Sequence, residues 1–149
     1  MRAGVRFAID IGSARIGVAK CDATATLASP FAVWPASSPV DLAARIRSEL
    51  LDLDPIELIL GLPVDLRGAE AVAAQEVRAV ATELAGLLEL PIRLVDERLT
   101  TAAARKQLRS AGYTTRSDRM LIDAAAATVL LEDALAAERS QGFAPGELV

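Results

Sequence analysis

"RFAIDIGSARIGVAKCD", residues 6–22, is the stretch that decides the fold. Val5, Phe7 and Ile9 alternate with Arg6, Ala8 and Asp10, the period of a half-buried strand. A short Gly/Ser turn leads into a second apolar run, Ile16-Gly17-Val18-Ala19, so the two read as a β-hairpin. Asp10 stands at the mouth of that hairpin, beside residues as small as Gly12, Gly17 and Ala19. A carboxylate placed there has open space around it.

Working outward, a third strand is expected near 28–34 and a helix over 41–51, with Pro39 and Asp41 as starters. "PIELILGLP" is a short apolar run ended by Gly61 and Pro63 and reads as a buried strand. A helix over 69–88 follows, with Val72, Val80, Leu84 and Leu87 on its apolar stripe and Gln75, Arg78, Thr82 and Glu89 opposite. "PIRLVDE" is another strand. "TTAAARKQLRSAG" is a helix that Thr100 caps and Gly112 stops, and a last helix covers 117–138. Three strands and then alternating helices and strands imply a mixed sheet with helices on its faces. Ligands in such sheets gather beyond the carboxyl ends of the strands. Those ends carry Asp10, Gly61 and Asp96-Glu97. Adjacent strand residues face opposite sides, so the alternation alone leaves Asp96 and Glu97 as equal candidates.

Asp123 is the fourth acid to isolate. It lies in "MLIDAAAATVLL", a helical stretch that is apolar nearly all round and therefore reads as buried. Its helical neighbours Met120, Ala126 and Ala127 offer no cation, and Arg119 is the nearest one. A buried carboxylate calls for a paired charge or a metal. The bland alternative is a local polar notch or an arginine pair.

Composition narrows the chemistry. The chain has 149 residues, is 52% hydrophobic and 24% charged, and contains no histidine. That length suits one domain, assigned here to 1–139, with 140–149 as a loose tail. Without histidine, His-based triads and most zinc chemistry are excluded, and acid–base or metal work falls to carboxylates. The single cysteine, Cys21, reads as a small buried residue and excludes an internal disulfide. The start has no signal-peptide pattern, and no run approaches the roughly 18 apolar residues of a membrane span. A soluble, cytoplasmic protein without a membrane partner is expected. No coiled coil or dimer helix is visible, which points to a monomer or weak homodimer.

The net charge of −4 argues against a polyanionic partner, but its distribution does not. Between Arg98 and Arg119 there are six basic residues, Arg98, Arg105, Lys106, Arg109, Arg116 and Arg119, and one acid, Asp118. A local basic surface is what phosphate binding requires, although a solvated helix face has the same composition. Arg105 and Arg109 are spaced i and i+4 on one helix face, and Arg116 and Arg119 fall in the loop after it. "GLPVDLRG" places Arg67 and a strand-to-helix connection where a phosphate is favoured.

"FAIDIGSARIGVA", "ILGLPVDLRG", "VDERLTT" and "MLIDAAAATVLLEDAL" together resemble, in order and spacing, the YqgF family of bacterial RNase H-like proteins. These proteins are described as pre-16S rRNA nucleases and as Holliday junction resolvases. The resemblance covers nearly the whole chain. It implies an RNase H-like mixed five-stranded sheet with helices on both faces, and it places catalytic, metal-ligating acids at Asp10, Glu97 and Asp123. It prefers Glu97 over Asp96. Three clustered acids suit Mg²⁺ or Mn²⁺, with two ions acting on a phosphodiester. The implied substrate is nucleic acid, either structured RNA such as pre-rRNA or branched DNA, guided by Arg67, Arg98, Arg105, Arg109, Arg116 and Arg119. Two other classes compete. A sugar-kinase-like ATPase shares "DIGSARIGVA" but needs two related domains. A non-catalytic nucleic-acid-binding module of the same fold would not need the three acids intact.

Overall fold

The computed structural model describes residues 1–64, 70–97 and 116–149, with the backbone alone described at 116–123. Strand β1 (Arg6–Ile11) pairs antiparallel with β2 (Arg15–Cys21), and β2 pairs antiparallel with β3 (Ala28–Pro35). The first turn is closed by the Gly12 N–H donating to the Arg15 carbonyl at 2.9 Å. In the second, the Asp22 carboxylate accepts from the Thr26 and Leu27 N–H groups, both at 2.8 Å. This is the local bonding that favours aspartate in turns.

Helix α1 (Pro39–Glu49) begins with Pro39 in the first turn, and Ser38 Oγ accepts from the Asp41 N–H at 3.2 Å. It returns the chain to β4 (Glu57–Leu62), parallel to β1. Helix α2 (Val72–Leu87) then leads to β5 (Ile92–Asp96), parallel to β4. Helix α3 (Arg116–Gln141) is the longest, and the chain ends in β6 (Glu147–Leu148), antiparallel to β5. The strand order is β3-β2-β1-β4-β5-β6, a mixed sheet with β1 and β4 at its centre.

Two apolar layers cover the sheet. On one face, Phe7, Ile9, Leu58 and Leu60 pack against Leu42 and Ile46 of α1 and Val77 and Leu84 of α2. On the other, Ala8, Ala19 and Ile59 pack beneath Ala127, Leu130 and Leu131 of α3. The small residues of the second layer let α3 lie close to the strands. The sequence expectation of a mixed sheet with helices on both faces holds.

Four details differ from that expectation. Strand β1 is covered on both faces rather than half-buried, with Phe7, Ala8 and Ile9 fully enclosed, because it sits mid-sheet between two helical layers. The buried stripe of α2 is Ala74, Val77, Ala81 and Leu84; Val72 is 69% exposed and Leu87 39% exposed. Alanines therefore carry part of the stripe that larger residues were expected to fill. Arg116 and Arg119 belong to the opening turns of α3, not to a loop. The end of the chain forms a sixth strand: Arg93 registers with Leu148, and the Val149 N–H donates to the Ile92 carbonyl at 2.8 Å. The helix expected over 100–112 lies outside the described residues.

Candidate active site

The site begins with strand alternation. Ala8 faces the α3 layer, so Asp10, two residues further along β1, emerges on that same face. Its cross-strand partner on β2 is Gly17, which has no side chain to crowd it. Val95 of β5 also faces α3. Glu97 therefore shares this face, while Asp96 points to the opposite side and is exposed. The Glu97 N–H donates to the Leu62 carbonyl at 3.2 Å, which carries the β4–β5 ladder one residue past the end of the strand. The choice that alternation left open thus depends on which helix covers which face.

Strands β1 and β5 are not neighbours, since β4 lies between them. At the usual strand spacing this separates their backbones by about 9–10 Å. Glu97 spans that gap. Its carboxyl group lies over Gly61 of β4, where a Cβ would overlap Oε2, and it hydrogen-bonds Asp10. Leu130 of α3 reaches the same point, 3.1 Å from where that Cβ would sit. The acid from β5 is thereby carried across β4 to the acid from β1.

Two carboxyl groups in contact cannot both remain ionised without cost. The Glu97 carboxyl is pushed up to about 8, first by burial, then by the Asp10 charge and the hydrogen bond to Asp10, and last by the charge of Asp96. Protonated Glu97 donates to the Asp10 carboxylate. An oxygen-only donor set of this kind suits Mg²⁺ or Mn²⁺.

Among the described residues no three acids, cysteines or histidines come together. The third expected acid, Asp123, is on α3, one turn before Ala127 and two before Leu130, and its side chain lies outside the described residues. The helix runs with its C-terminal end over the start of β1, where Glu138 meets Arg6 at 3.2 Å. Its N-terminal half therefore extends toward the Asp10 end of the sheet. Arg67, Arg98, Arg105 and Arg109 lie outside the described residues, and Arg116 and Arg119 are described in backbone only. The space above Gly61 is what the sequence reading missed. Its signal was a glycine inside the apolar run from Leu58 to Leu62, which marks a close approach.

Known proteins resemble this chain over nearly its whole length. A family model described as "RuvX: Holliday junction resolvase" matches residues 4–137. A Streptomyces avermitilis protein named "Putative pre-16S rRNA nuclease" is 45% identical over 148 residues, covering 99% of this chain and 95% of its own. A Thermobifida fusca protein of the same name is 48% identical over 157 residues, covering 100% of this chain and 98% of its own. Among solved structures, Thermus thermophilus RuvC is similar in fold, with a TM-score of 0.52 at 16% identity over 96% of this chain and 99% of that one. RuvC from the same organism in complex with a Holliday junction substrate gives 0.51 at 17% identity over 97% and 99% of the two chains. With the family model spanning most of the chain and full-length relatives above 40% identity, this chain belongs to the RuvX family, the group its YqgF-like motifs resemble.

Proposed function

We propose that this chain is a metal-dependent nuclease that hydrolyses phosphodiester bonds, acting in 5′-end processing of pre-16S rRNA in the cytoplasm. The observation that carries the reading is the meeting of Asp10 and Glu97 over Gly61. These two acids, with Asp123 from α3, would hold Mg²⁺ or Mn²⁺. Two such ions, when bound, supply an activated water and positive charge for the leaving oxygen. The chain's own residues provide placement. Asp10 registers with Gly17 on β2, which puts no side chain beside it. Glu97 is tethered through its N–H to Leu62 and brought across β4. Arg67, Arg98, Arg105, Arg109, Arg116 and Arg119 supply a positive field for the nucleic-acid backbone in an otherwise acidic chain.

The shared name of the curated relatives supports the rRNA substrate. The proposal places the chain in the cytoplasm as a monomer or weak homodimer; no described helix is long and apolar enough to cross a membrane. Depleting the protein in its host and mapping 16S rRNA 5′ ends tests the substrate. Extended 5′ ends are expected. The second reading, Holliday junction resolution, is favoured by the description of the matching family model and by the RuvC fold. Mature ends together with defects in junction repair would replace the first reading with the second.

A further inference from the structure

We propose that Gly61 is a positioning residue, present so that the Glu97 carboxylate can cross β4 and join Asp10; the metal-binding consequence rests on the function proposed above. Gly61 sits inside a fully buried strand, where glycine contributes no packing and weakens the strand. Its backbone is not in the left-handed region, so conformation does not require glycine. Space does. A Cβ at this position would overlap Glu97 Oε2, lie 3.0 Å from Glu97 Cδ and come within 3.1 Å of Leu130 Cδ2. The flanking residues Leu60 and Leu62 face the other layer, so position 61 is the point where β4 meets the acid pair. With any larger residue, Glu97 must turn away from Asp10, and the donors contributed by β1 and β5 separate.

The test is a cycle of Gly61→Ala and Glu97→Ala read by Mn²⁺ titration with MnCl₂ alone. Gly61→Ala should weaken Mn²⁺ binding by about 10–100-fold, the usual cost of disturbing what orients a ligand. In the Glu97→Ala background the same change should alter affinity by less than about twofold, since the obstructed side chain is gone. Wild-type affinity in Gly61→Ala, or an equal loss in both backgrounds, would overturn the proposal in favour of a packing role against Leu130. If Gly61→Ala does not fold, the double variant should fold as well as Glu97→Ala, and its failure to do so also overturns it. If Glu97→Ala binds Mn²⁺ like the wild type, the metal reading fails instead. The positioning claim is then decided without metal by urea unfolding: Asp10→Asn and Glu97→Gln should be energetically coupled with Gly61 and uncoupled with Ala at 61. Coupling that survives Gly61→Ala contradicts it.

Discussion

Glu97 holds its proton far into the neutral range because burial and the Asp10 charge both oppose its ionisation. The consequence for stability has a definite sign. A carboxyl raised from 4.5 to about 8 on folding contributes stability that is fully present below pH 4.5 and lost as pH rises through about 8. In metal-free buffer, urea unfolding should therefore show the wild type losing stability across that window more steeply than Glu97→Gln. Equal slopes would mean that the pair is not in contact in solution. The neighbouring acid supplies the contrast for activity. Glu97→Gln should lower cleavage at least roughly 100-fold, beyond what altering an orienting group costs, while Asp96→Asn should cleave nearly as the wild type. Asp10 was legible in the sequence because small residues surround it on both strands of the hairpin. The choice between Asp96 and Glu97 was not, because alternation gives two faces and says nothing of which helix covers each.

Helix α3 links two electrostatic centres on one face of the sheet. At the Asp10 end the strands present acids. At the other end Arg6 and Glu57, nearly inaccessible at 1% exposure each, meet Arg2, Arg93 and Glu138. Glu138 accepts from the Arg2 backbone N–H at 3.1 Å and from its Nε at 2.9 Å, and this pairing holds its carboxyl down at about 2. A depressed carboxyl contributes stability that is present above pH 4.5 and lost as pH falls through about 2, the opposite direction to Glu97. Glu138→Gln should cost about 3 kcal/mol near neutrality, the lower end for breaking a buried ion pair, and the difference should shrink on acidification. A pH-independent difference measured by urea unfolding would assign Glu138 to packing alone.

Elements with strong periodicity were legible at this scale. The stripe of α2 was misplaced because alanine carries little hydrophobic signal, yet Ala74 and Ala81 are fully buried. Strand β6, two residues long, has no period to detect; its pairing with β5 is a tertiary fact.

At the scale of the whole molecule, a net charge of −4 coexists with a run of six cations and one acid between Arg98 and Arg119. If that run meets a nucleic-acid backbone, replacing Arg105, Arg109 and Arg116 together by alanine should flatten the salt dependence of binding by about 2–3 units of slope. On that reading the three side chains face solvent, and melting should change little. An unchanged slope would make the run an ordinary solvated surface. The mixed sheet and its two helical layers were legible from the alternation of strands and helices, whereas substrate identity was not, because one set of acids serves RNA and branched DNA alike. The most direct measurement of the central claim is cleavage of a pre-16S rRNA 5′ fragment by purified protein, with and without Mg²⁺, beside Asp10→Asn. The wild type should cut only with the metal, and Asp10→Asn should not cut while melting at or above the metal-free wild type, because Glu97 can then ionise without the Asp10 charge beside it. Cleavage by Asp10→Asn at the wild-type rate, or its collapse as a folded protein, would contradict the account.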